Sequence, residues 1–77
     1  MLVPDVYKQT VIDALTDMGA DIHVGTGHLA FQGMFQGRVI FAYNSGAFTE
    51  IYCAHEETYR RLMQIVQMIV AHGGVDE

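Results

Sequence analysis

The sequence predicts an α+β domain, an antiparallel meander sheet of three or four strands with an N-terminal and a C-terminal helix packed on one face. Three observations carry this. Apolar residues recur at helical spacing near both ends of the chain, and glycine turns divide the middle into short alternating stretches. The 77 residues, 1–77, are expected to form a single domain, since one domain usually takes about 100 to 200 residues.

The first helix is predicted over residues 4–18. Tyr7, Val11, Ala14, Leu15 and Met18 fall on one helix face. Pro4 suits the first helical position and Gly19 the position just past the last turn. On the far side Asp5, Gln9, Asp13 and Asp17 form an i+4 ridge. Such a ridge is ordinarily a solvated face, and it is also what a basic partner would meet.

Strands are predicted at about 20–25, 28–33, 38–43 and 47–53. Thr26-Gly27 reads as a two-residue turn, while Phe35-Gln36-Gly37 and Asn44-Ser45-Gly46 read as three-residue loops with glycine in the left-handed position. This register assigns Ile22, Val24, Leu29, Phe31, Val39, Phe41, Tyr43, Ile51 and Cys53 to the core face. The outer face receives His23, Ala30, Gln32, Met34, Arg38, Ile40, Ala42, Phe48, Glu50 and Tyr52. A slip of one residue at either loop exchanges the faces, but both registers leave apolar side chains on the open side.

The second helix is predicted over residues 56–72, with Tyr59, Leu62, Met63, Val66, Ile69 and Val70 in register and Ile65 and Met68 widening the stripe. Glu56 and Glu57 in the first turn and His72 in the last suit the helix dipole. Gly73-Gly74 is the expected stop, followed by a frayed tail over 74–77.

Composition narrows the function classes. Net charge is −5, with Lys8, Arg38, Arg60 and Arg61 as the fixed cations against nine acids. Because non-specific nucleic-acid affinity comes from neutralising phosphates with Lys and Arg, no nucleic acid is expected as a direct ligand. The helix–strands–helix order resembles in outline the double-stranded-RNA-binding domain. There, however, a basic second-helix N-terminus meets phosphates, whereas here the segment reads His55, Glu56, Glu57. No apolar run reaches membrane-spanning length and no signal-peptide pattern is visible, so no membrane is expected. The lone Cys53 cannot form an internal disulfide, which favours a cytoplasmic, reducing compartment.

Chemistry-bearing groups are sparse. His23 and His28 would be diagonal neighbours in the predicted hairpin, but a structural zinc site usually takes four ligands, so neither metal nor cofactor is expected. A histidine-centred metal or small-ligand site at His23, His28 and Glu50 is the alternative reading. Cys53 with His55 is the one nucleophile–base pairing to consider. Buried small hydrophobe is the ordinary fate of a lone cysteine, and no enzyme is expected. Gly25-Thr26-Gly27 joins two strands rather than a strand and a helix, so it reads as a turn rather than a phosphate loop.

What remains is surplus apolar surface. A domain this small buries only about 60% of the surface its unfolded chain exposes, and two helices can cover only one side of the sheet. The expected function is therefore a non-enzymatic protein-interaction module, a regulator, inhibitor or adaptor. It is expected to pair with itself as a homodimer and to meet an unknown partner protein. Met34, Ile40, Phe48 and Tyr52 on the sheet and Ile65 and Met68 on the second helix are the candidate contact residues.

Overall fold

The computed structural model describes residues 1–75, with side chains described through His72. The fold is α+β, a five-stranded antiparallel sheet with two helices. In chain order the elements are β1 (Leu2–Pro4), a 3-10 turn (Asp5–Tyr7), α1 (Lys8–Asp17), β2 (Asp21–Val24), β3 (Leu29–Phe35), β4 (Arg38–Ser45), β5 (Phe48–Cys53) and α2 (Glu56–Val75). Across the sheet the strands run β1-β5-β4-β3-β2, so β4 occupies the centre.

The fifth strand is β1, at the chain start. Pro4, read from sequence as the first helical residue, ends this strand opposite Phe48. Three residues are too few to display an alternating pattern, and β1 forms through pairing with β5. The chain start extends that ladder, for the Met1 amino group donates to the Ile51 carbonyl at 2.9 Å and Ile51 N–H donates back to Met1 O at 2.8 Å. Proline lacks an N–H and is tolerated at a sheet edge, where β1 lies. At the other end α2 runs through Gly73 and Gly74 to Val75, past the expected stop. The rest of the expected frayed tail, Asp76 and Glu77, lies outside the described residues.

Both inner hairpins turn more tightly than the sequence reading had them. Phe35 pairs with Arg38, which leaves Gln36-Gly37 as a two-residue turn with both residues at positive φ, 55° and 75°. Ser45 pairs with Phe48 across Gly46-Ala47, with Gly46 at φ 64°. Two-residue turns of these kinds match the right-handed twist of the flanking strands. Each correction shifts the register by an odd number of residues, so the two errors cancel for β5 and leave β4 alone reversed. Ile40 and Ala42, expected on the outer face, are fully buried, and Val39, Phe41 and Tyr43, expected in the core, point outward.

The β2–β3 connection differs as well. Val24 pairs with Phe31, and the chain between them bends through Thr26, whose carbonyl accepts from Leu29 N–H at 3.2 Å. An irregularity between Leu29 and Phe31 turns Ala30 inward, where it is buried. Gly33 faces Ile22 of β2, and a Cβ there would overlap the Asp21 carbonyl. That close approach explains why glycine interrupts an otherwise apolar strand.

Both helices cover the same side of the sheet. Val11, Ile12 and Leu15 of α1 and Leu62, Ile65 and Val66 of α2 close over Phe31, Phe35, Ile40, Ala42 and Ile51, with Val3 of β1 at the margin. Burying a side chain of this size contributes about 1.5–3 kcal/mol, and this layer is the hydrophobic core.

Candidate functional site

The side of the sheet without helices is the most distinctive surface. Along each strand alternate residues point to it: Leu2 of β1, Phe48, Glu50 and Tyr52 of β5, Val39, Phe41 and Tyr43 of β4, Gln32 and Met34 of β3, Asp21 and His23 of β2. Seven of these are large apolar or aromatic side chains left between 39% and 58% exposed. A solvated antiparallel face ordinarily alternates to polar residues, and this one does so at its β2 margin, at Gln32 of β3 and at Glu50.

Cross-strand pairing places the aromatics together. Phe41 stands directly opposite Tyr52, and Met34 opposite Val39. Tyr43 meets Tyr52 edge to face, with ring centroids 5.8 Å apart and planes at 67°, a favourable arrangement for two quadrupoles. The Glu50 carboxylate, hydrogen-bonded to the Tyr52 hydroxyl, holds that phenol above its usual pKa of 10.0, with burial and the nearby Glu50 charge acting in the same direction. Tyr52 is therefore an uncharged phenol at neutral pH, and the Glu50 carboxylate, opposite Tyr43 and against Tyr52, places a full negative charge at the aromatic cluster.

Of the six contact residues expected from sequence, Met34, Phe48 and Tyr52 lie on this open face and are exposed. Ile40 does not, being sealed in the core because β4 is reversed. Ile65 of α2 is likewise buried, as part of the core layer, while Met68 is 62% exposed on the helical side. The sequence reading missed Leu2, Val39, Phe41 and Tyr43. The signal for the last three was the preference for two-residue hairpin turns at Gln36-Gly37 and Gly46-Ala47.

The residues weighed for chemistry are dispersed. His23 pairs across the ladder with Gln32, and its Nε2 lies 3.1 Å from the Asp21 carboxylate. His28 sits in the connection before β3, beyond the last β2–β3 pair, so the expected diagonal relation to His23 does not form. Glu50 belongs to the Tyr52 cluster. Among the described residues no three His, Cys, Asp or Glu side chains converge as metal ligands.

Cys53 and His55 do not form a dyad. The half-buried thiol donates to the His55 backbone carbonyl at 3.7 Å, not to its ring. The ring caps α2 instead. His55 Nδ1 accepts from Thr58 N–H at 3.4 Å and lies 2.8 Å from the Thr58 hydroxyl, while the His55 carbonyl accepts from Tyr59 N–H at 2.8 Å. An Nδ1 that accepts a backbone N–H leaves the ring proton on Nε2, and the buried Thr58 hydroxyl is satisfied by donating to it. This is capping chemistry, which satisfies donors orphaned at a helix start.

A second apolar surface lies on the helical side. Between α1 and α2 runs an open groove of ≈ 420 Å³, walled by Tyr7, Ala14 and Met18 on one bank and Ile65, Met68 and Ile69 on the other. Among the described residues no helix is long and apolar enough to cross a membrane. Comparison of the chain with family models, curated proteins and solved structures finds no match.

Proposed function

We propose that this chain is a small, non-enzymatic protein-interaction module that works as a homodimer, two copies joined through the open faces of their sheets. The observation that carries the reading is the side-by-side placement of Met34, Val39, Phe41, Tyr43, Phe48 and Tyr52 on the side away from both helices. Exposed apolar patches of this extent mark association surfaces.

The occupant is a second copy because size and edges favour one. Five strands at about 4.8 Å spacing make a face about 24 Å wide and about 20 Å along the strands, roughly 500 Å² before side-chain relief is counted. Two such faces bury on the order of 1,000 Å², the area a specific interface must reach. Pairing by sheet edges is disfavoured, since β1 has three residues and ends on Pro4 while β2 has four and begins on Asp21. Short edges with proline or charge resist strand addition. Stacking face to face with a two-fold axis places Phe41 and Tyr43, on the central strand, near the middle of the contact. The dimer also supplements a core that is small for independent stability. The single, unpaired Cys53 suits a reducing, cytoplasmic setting, and the helical side stays outward for regulation or adaptation of a partner protein.

The test is sedimentation velocity on the wild-type chain and on a Phe41→Glu, Tyr52→Glu double variant, both positions being exposed. At about 100 μM, where an interface of micromolar affinity is well populated, the wild type should run as a dimer. The variant should run as a folded monomer with unchanged circular dichroism. A wild-type chain that stays monomeric there overturns the reading.

A further inference from the structure

We propose that the groove between α1 and α2 is a docking site for a basic amphipathic helix of a partner protein. The inference is independent of the homodimer, since the groove lies on the opposite side of the molecule from the open sheet face.

The shape fits a helix. Along α1 the groove runs from Tyr7 to Met18, about 16 Å or three turns at about 1.5 Å per residue. Its floor is apolar, with Ile65 at the bottom and Ala14 giving a low wall where a third helix can approach. Methionines stand on both banks, Met18 half exposed on α1 and Met68 62% exposed on α2. Flexible, polarisable methionines repack against the apolar stripe of an incoming helix.

Charge selects the occupant. Asp13 and Asp17 follow the groove residues Thr10 and Ala14 by three positions, so each stands one ridge outside the α1 bank. Both are exposed and, among the described residues, neither has an ion-pair partner, whereas Asp5 is held by Lys8 and Glu56 by Arg60. The α2 bank carries no carboxylate beside the groove: His72 lines it, the exposed Arg61 stands one turn before Ile65, and the outer positions are Gln64, Gln67 and Ala71. The acidic border therefore belongs to the α1 side alone, and the basic flank of the occupant must face it. An apolar stripe flanked on one side by Lys or Arg meets the groove and the acidic ridge together. A second copy of this chain does not, because each carries a net −5 and only four Lys and Arg, and like charges in an interface are costly.

The experiment uses fluorescence anisotropy with three labelled probe peptides of about four helical turns. One is a Leu/Lys amphipathic helix, one its Leu/Glu counterpart, and one a scrambled Leu/Lys sequence without a helical stripe. The Leu/Lys helix should bind at least tenfold more tightly than either control, and Met68→Asp should weaken it at least tenfold. Asp13→Lys with Asp17→Lys should weaken it more than Glu56→Lys with Glu57→Lys, which changes net charge equally but lies at the other end of α2. Equal binding of the acidic helix would mean an apolar ligand site without charge selection and overturns the proposal. Equal losses in the two charge-reversed variants would reduce the effect to net charge and overturn it too. Conversion of a wild-type dimer to monomer by Met68→Asp would assign the groove to a second copy, with the same consequence.

Discussion

Gln36 is the described non-glycine residue with positive φ, and it stands at the first position of the β3–β4 turn. A side chain there is strained, and Asn tolerates that conformation better than Gln. Gln36→Asn should raise stability by about 0.5–1 kcal/mol, read as a higher urea midpoint at unchanged slope. A neutral or destabilising result would show that the turn is not of this tight type. Another residue-scale prediction concerns Asp5, whose carboxylate accepts from the buried Thr49 hydroxyl at 3.0 Å and pairs with Lys8 at 3.3 Å. The Thr49 hydrogen bond, then Lys8, holds its pKa below the usual 3.8. A depressed folded-state value stabilises the protein above the unfolded pKa, and that contribution is lost as pH falls through the folded one. Asp5→Asn should therefore lower stability at neutral pH and flatten the acid limb below about pH 4, measured by urea melts across the acid range. An identical acid limb in the variant would remove Asp5 from the account.

Adjacent positions of β4 have opposite fates, and the central strand tests the register directly. Ile40 is fully buried whereas Phe41 is 39% exposed on the open face. Ile40→Ala should cost about 2–4 kcal/mol through lost burial and a cavity, while Phe41→Ser should cost a monomer little. Urea denaturation in the dilute, monomeric regime compares them, and the reverse ranking would mean that β4 is paired one residue away. This strand also shows what was legible beforehand. Both helices announced themselves because ten or more residues repeat the same apolar spacing, and β5 kept its face because two odd register errors cancelled. For β4 the alternation was visible but its sign was not, since Val39, Phe41 and Tyr43 are as apolar as Ile40 and Ala42. With both faces oily, hydrophobicity cannot choose between them, and the decision passes to turn geometry at Gln36-Gly37 and Gly46-Ala47. The candidate contact surface inherited that ambiguity: Met34, Phe48 and Tyr52 were legible, Ile40 was misplaced, and the central aromatics were missed. β1 escaped because three residues carry no period, and the α1–α2 groove because it depends on how far apart two helices settle on the sheet.

The whole molecule presents two apolar surfaces in different electrostatic settings, which gives them opposite responses to salt. Joining two chains of net −5 through open faces that each carry Glu50 at the aromatic cluster and no Lys or Arg brings like charges together with little compensating attraction across the contact. Raising ionic strength from about 10 to about 150 mM shortens the screening length from about 30 to about 8 Å. Repulsion between the subunits then fades while the apolar contact is retained, and the dimer dissociation constant should fall several-fold. The groove, bordered by Asp13 and Asp17, should behave in the reverse sense, because screening removes the attraction for a basic helix. Sedimentation equilibrium for the dimer and anisotropy for the Leu/Lys peptide, run in the same salt series, give the two slopes. A dimer that weakens with salt would mean that complementary charges are paired across its interface. The open face carries Glu50 and Asp21 but no Lys or Arg to pair with them, and the subunit contact would have to be sought elsewhere on the molecule.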